Sequence, residues 1–145
     1  MQYLTKKEYF KIDALWKRIF LEDVKKSTGK YTRAGSGRSD WVILAWLRDD
    51  VWLDASAVSR YEAQAVPDLL YVWTDEWYAK VSERKLNLDE LWGLLEEGAD
   101  AVYLASFSTG ISWTFVITHE DLPCRYIYSE KASEEEVDFD FVCQI

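Results

Sequence analysis

The chain reads as an α+β protein, with N-terminal helices packed on one face of a C-terminal antiparallel sheet of about four to five strands. Three observations predict this. Apolar residues recur at helical spacing early in the chain. The last third turns to β-branched and aromatic runs joined by turn residues. Helix-rich sequence precedes strand-rich sequence instead of alternating with it, which favours an antiparallel sheet over a parallel one. At 145 residues the length suits one domain. Within 1–145, a basic helix and loop are expected over 1–38, mostly helix over 39–98 and mostly strand over 99–145.

The first helix is the best marked. Thr5-Lys6-Lys7-Glu8 fits a capping box, in which hydroxyl and carboxylate satisfy orphan amides reciprocally. Tyr9, Ile12, Trp16, Ile19 and Phe20 then form a wide apolar stripe, and Ser27-Thr28-Gly29 is the expected stop. Residues 30–38 read as a basic loop. Asp40 opens a second element over Trp41 to Leu47, read as helix from its Leu and Ala content. Asp54 is expected to cap a third helix to about Gln64, closed by Pro67. Leu69 to Trp73 reads as a strand, and Thr74-Asp75-Glu76 as the start of a short helix toward Arg84. Asn87-Leu88-Asp89-Glu90 repeats the capping pattern, with Leu86 and Leu91 as a hydrophobic staple, and Gly98 ends that helix. Ala101 to Phe107 and Ser112 to Thr118 form a hairpin around Ser108-Thr109-Gly110-Ile111. Arg125 to Ser129 is a further strand, and Val137 to Cys143 alternates apolar and acidic residues.

Composition excludes several classes. With 49% apolar and 30% charged residues the chain is not disordered. Two cysteines, Cys124 and Cys143, exclude a disulfide-dense scaffold, and both read as reduced apolar residues. One histidine leaves too few ligands for a metal site, and no cofactor is expected. No signal-type run follows Met1, and the apolar stretch Trp41 to Leu47 is too short to span a bilayer. The expectation is a cytoplasmic protein without membrane contact.

Little in the sequence points to catalysis. Ala34-Gly35-Ser36-Gly37-Arg38-Ser39 lacks the lysine of a phosphate loop. The acid pairs Asp49-Asp50, Asp75-Glu76 and Glu96-Glu97 and the run Glu134-Glu135-Glu136 are adjacent in sequence and fall mostly at element ends, where solvated charge is ordinary. No EF-hand spacing is present. The lone His119, with Glu120 and Cys124 nearby, is either a general base or a strand-end residue that orders the following turn. On a strand His119 and Glu120 would face opposite ways.

Charge and tryptophan are more informative. Residues 1–38 carry a net +6 and the remainder −15, for a total of −9. An acidic body of this size argues against direct nucleic-acid binding. It suits a basic protein partner. Eight Trp are more than a small core needs. Trp16 and Trp92 fall on predicted apolar faces. Trp52 lies among Asp49, Asp50 and Asp54, and Trp77 beside Asp75 and Glu76. Amphipathic anchors ringed by acids are the expected partner-binding residues, together with Asp138 and Asp140.

The segment Trp113-Thr114-Phe115-Val116-Ile117-Thr118-His119-Glu120, followed by Cys124-Arg125-Tyr126-Ile127-Tyr128, resembles the C-terminal signature of small bacterial proteins, several of which look like toxin-immunity proteins. That pattern has Gly-Pro before the final aromatics, where this chain has Cys124-Arg125. The resemblance covers about 20 residues by the span of those segments. It implies a bacterial origin, a small α+β fold and an inhibitory role, and it carries over no catalytic residue. The expected function is therefore an acidic immunity protein that occludes a basic, nuclease-type toxin. The alternatives are a phage-type nucleic-acid mimic that regulates a DNA- or RNA-processing protein, and a small hydrolase using His119.

Overall fold

The computed structural model describes residues 2–22, 40–47, 50–65, 69–75, 79–96, 100–108, 110–120 and 124–133. In chain order the elements are β1 (Gln2–Tyr3), α1 (Lys6–Phe20), α2 (Asp40–Leu47), β2 (Trp52–Leu53), α3 (Asp54–Ala63), β3 (Leu70–Thr74), β4 (Ala79–Ser82), α4 (Leu88–Leu95), β5 (Ala101–Ser106), β6 (Gly110–Thr118) and β7 (Tyr126–Ser133). The strands form one sheet in the order β1-β4-β3-β5-β6-β7-β2, and every neighbouring pair is antiparallel. The α+β expectation therefore holds, with more strands than expected. The two outermost strands have two residues each, which leaves short edges for other chains to pair with.

Helix placement departs from the expectation of one covered face. Along β3, Leu70 and Val72 join one apolar cluster, and Tyr71 and Trp73 the other. Along β5, Val102 and Leu104 separate in the same way from Ala101, Tyr103 and Ala105. Strand side chains alternate faces, so both faces of the sheet are buried. Helices α1 and α2 cover the first face and α3 and α4 the second. The near-continuous burial of β3, β5 and β6 is the sequence correlate of two covers. Strands this apolar do not leave a face for water.

The first face is organised by Trp16, which is fully buried. Its indole N–H donates to Thr114 Oγ1 at 2.8 Å, and the Thr114 hydroxyl donates to the Leu104 carbonyl at 2.6 Å. Its ring meets Tyr103 edge-on at 5.2 Å, and Tyr103 stacks on its cross-strand partner Trp73 at 5.6 Å. On the second face Tyr61 of α3 stacks on Phe115 at 4.3 Å, and its hydroxyl donates to the Leu86 carbonyl at 2.6 Å. Most of the aromatic rings among the described residues are thus core, and those named here meet a partner at ordinary aromatic distance.

Both capping boxes form. Thr5 and Asn87 accept from the amides of Glu8 and Glu90, whose carboxylates accept in return. Helix α1 ends at Phe20, before the expected stop at Ser27-Thr28-Gly29, which lies outside the described residues. The helix expected from Thr74 toward Arg84 is instead strand β4 at 79–82. Its Ala79 and Val81 pack into the first face, and Lys80 and Ser82 alternate to the second. A strand-period pattern of four residues is easily outweighed by an upstream capping signature. Among the described residues, 39–98 therefore supply three strands as well as three helices. The alternating run 137–143 lies outside the described residues.

Candidate functional site

Antiparallel order decides which acids meet. Strands β3, β6 and β2 finish at the end of the sheet where β4, β5 and β7 begin. That end carries Asp75 after β3, Asp100 before β5, His119 and Glu120 after β6, Arg125 before β7 and Asp54 after β2. From β3 to β2 this rim crosses four strand spacings, roughly 19 Å at about 4.8 Å each. Two of the expected partner-binding segments, far apart in sequence, thus share one rim through Asp54 and Asp75. Exposed Leu53 adds an apolar side chain beside Asp54.

The carboxylates are built into the backbone. Asp75 Oδ1 accepts from the amides of Asp100 at 3.0 Å and Ala101 at 3.4 Å, which joins β3 to the start of β5. Asp54 Oδ1 accepts from the amides of Arg125 at 2.9 Å and Tyr126 at 3.4 Å, which joins β2 to the start of β7. This differs from the expected helix cap. The N-cap of α3 is Leu53, without a side-chain cap bond, and Asp54 has φ of +51°. A short polar side chain tolerates that left-handed conformation when it hydrogen-bonds locally. Here it does so across the sheet edge.

His119 lies just beyond β6, so strand alternation no longer governs it. Its Nδ1 is 2.8 Å from the Asp100 carbonyl oxygen, and its backbone amide donates to the same oxygen at 3.3 Å. Its Nε2 is 3.0 Å from Glu120 Oε1 and 3.8 Å from Asp100 Oδ1. The imidazole and carboxylate expected on opposite faces are therefore in contact. The bond to the Asp100 carbonyl, with the nearby carboxylates of Glu120, Asp100 and Asp75, raises the imidazole above its ordinary range. Thr118 shapes the turn. Its hydroxyl lies 3.0 Å from the Cys124 carbonyl and 3.1 Å from the Glu120 carbonyl, and it accepts from the Glu120 amide.

Cys124 is fully buried. Burial, with the Asp54 carboxylate adding to it, pushes its thiol up to about 11. A nucleophilic cysteine needs the opposite shift. Among the described residues no three His, Cys, Asp or Glu side chains converge to hold a metal ion.

The other expected residues distribute as follows. Asp50 is exposed ahead of β2. Trp52 is half-buried on the second face, edge-on to Tyr128 at 5.7 Å, with the Arg60 guanidinium 4.2 Å over its ring. Arg60 in turn pairs with Glu130 at 3.1 Å. Trp52 is thus largely engaged within the chain. Asp49, Glu76, Trp77, Asp138 and Asp140 lie outside the described residues. Asp100 was not singled out in the sequence, and Glu120 was read only as a neighbour of His119 and not as a partner-binding acid. Their signal was positional, since each adjoins the outer end of a strong strand run.

An open groove of about 330 Å³ lies on the second face, lined by Tyr61, Glu62, Lys85, Leu86, Asn87 and Leu88. Lys85 donates to the Glu62 and Gln64 carbonyls at 2.8 and 3.1 Å and lies 4.8 Å over the Tyr61 ring. Its ammonium closes the C-terminal end of α3, and burial lowers its proton affinity. This is helix capping from a distance.

No protein-family model, curated protein or solved structure matches the chain. No helix among the described residues is long and apolar enough to cross a membrane.

Proposed function

We propose that the chain is an acidic protein-binding inhibitor, an immunity protein that neutralises a basic, nuclease-type bacterial toxin by occluding it, with the strand-end rim as its binding face. One observation carries this reading. Asp54, Asp75, Asp100 and Glu120, distant in sequence, converge on one end of the sheet, and two of them are anchored by backbone amides. Anchored acids lose little freedom on binding, and a fixed negative rim steers a basic surface into place. A nuclease offers such a surface because its substrate is phosphate-rich. The protein acts by covering that surface and performs no chemistry of its own. Buried Cys124, with its thiol held protonated, gives no support to the hydrolase alternative.

The test is capture from lysate of the source organism at low and high salt. The bait proteins are the native chain, Asp100→Lys/Glu120→Lys on the rim, and Glu62→Lys/Glu83→Lys elsewhere on the surface. The expected result is one basic protein, held at low salt by the native chain and the distant variant, lost from the rim variant, and released by high salt. Equal retention by the rim variant at high salt would contradict the reading.

A further inference from the structure

Both nitrogens of the His119 ring face oxygens that only accept. Nδ1 meets the Asp100 carbonyl at 2.8 Å, and Nε2 meets the Glu120 carboxylate at 3.0 Å. A neutral imidazole carries one N–H and satisfies one of them. The doubly protonated ring satisfies both. The contact joins the start of β5 to the turn after β6, so it holds two pieces of the rim together. The charged groups around it are Asp75 at the end of β3, Asp100 before β5 and Glu120 on its own turn. Arg125, at the start of β7, has its guanidinium 5.3 Å over the Trp92 ring on the second face. His119 stands among three rim carboxylates, those of Asp75, Asp100 and Glu120.

We propose that His119 is a pH-operated clasp on the acidic rim: charged, it bonds both the Asp100 carbonyl and Glu120 and cancels one rim charge; neutral, it keeps one of those bonds at most and leaves the rim one charge more negative, so a basic partner binds more tightly as pH rises. This regulation rests on the rim being the binding face. Its direction is opposite to that expected of a histidine contacting a carboxylate on the partner. A partner acid would bind the imidazolium and weaken as pH rises.

The test has two arms on the full chain. The chain has a single histidine, so proton NMR follows this imidazole without assignment. Its midpoint is expected above the ordinary value of about 6.5 and lower in Glu120→Gln. A midpoint at or below 6.5, unmoved by Glu120→Gln, would overturn the clasp. In the second arm poly-lysine serves as the basic probe, titrated calorimetrically at pH 5.5 and 8.5, where its own charge is nearly constant. Affinity for the native chain is expected to rise on the order of fivefold, the worth of one unit-charge contact at about 4 Å in water. His119→Gln is expected to bind equally well at both pH values. Binding that ignores pH in the native chain, or a pH response that survives His119→Gln, overturns the regulation and leaves the rim reading standing. No binding at either pH overturns both.

Discussion

At the scale of single residues, Asp54 shows how one side chain does two tasks that sequence presents as one. Asp at a helix start reads as a cap. Here its carboxylate reaches across to the amides of Arg125 and Tyr126, and the residue itself takes φ of +51°. Asp54→Ala is expected to cost about 2 kcal/mol, from two lost acceptor contacts and a methyl side chain in the left-handed region. Asp54→Asn should retain most of that stability, because Asn keeps both the acceptor and the tolerance. Urea denaturation of the three proteins checks the order, and equal midpoints would remove Asp54 from its structural role. Cys124 gives a second residue-scale prediction. A buried thiol raised to about 11 reacts slowly. Peptide mapping after iodoacetamide treatment should find Cys124 unlabelled in the native protein and labelled after unfolding. Legibility at this scale was uneven. Asp54 and Asp75 were found because acids beside tryptophan stand out. Asp100 was not, and Glu120 was read only beside His119, because their place on the rim comes from which strand ends are neighbours, and strand order is not written in local sequence.

Among the elements, those with local signals were the most legible. The capping boxes at Thr5 and Asn87 and the hairpin of β5 and β6 needed no tertiary information. Strand β4 failed because its identity comes from its neighbours β1 and β3, while the capping signature upstream favoured helix. Helix α4 supplies the test at this scale. Its Glu90 accepts from its own cap and from Arg84, whose guanidinium holds the carboxyl down at about 2. A depressed folded-state pKa adds stability above the unfolded value of about 4.5, and that stability is lost as pH falls toward 2. Glu90→Gln should therefore flatten the fall in denaturation midpoint between pH 4.5 and 2 relative to the native chain. Parallel curves would mean that the Arg84 pair contributes nothing. Asn87→Ala, which removes the other half of the box, is expected to cost about 1 kcal/mol at any pH in that range.

For the whole molecule, two helical layers on one antiparallel sheet explain why so many large aromatics are buried. They also leave Asp54, Asp75, Asp100 and Glu120, at one end of the strands, outside the two apolar layers. The faces of the sheet are covered, the outermost strands are short, and the rim of strand ends remains. The expectation of one covered face understated this, since the central strands are apolar at nearly every position. The separation of charge along the chain, +6 over residues 1–38 against −15 over the rest, was legible from composition alone. That Asp54, Asp75, Asp100 and Glu120 meet at one end of the sheet required the topology.

The central claim is that this rim binds a basic partner. The most direct measurement is the affinity of the captured partner for the native chain, Asp100→Lys and Glu83→Lys, by calorimetry at two salt concentrations. Asp100 is preferred to Asp75 or Asp54 because those two carboxylates accept from backbone amides at the start of a neighbouring strand. At least a tenfold loss is expected for Asp100→Lys at low salt, about 1.4 kcal/mol or more, with a smaller difference at high salt and near-native affinity for Glu83→Lys. Equal affinities for the two variants would contradict it and place the binding face elsewhere on the molecule.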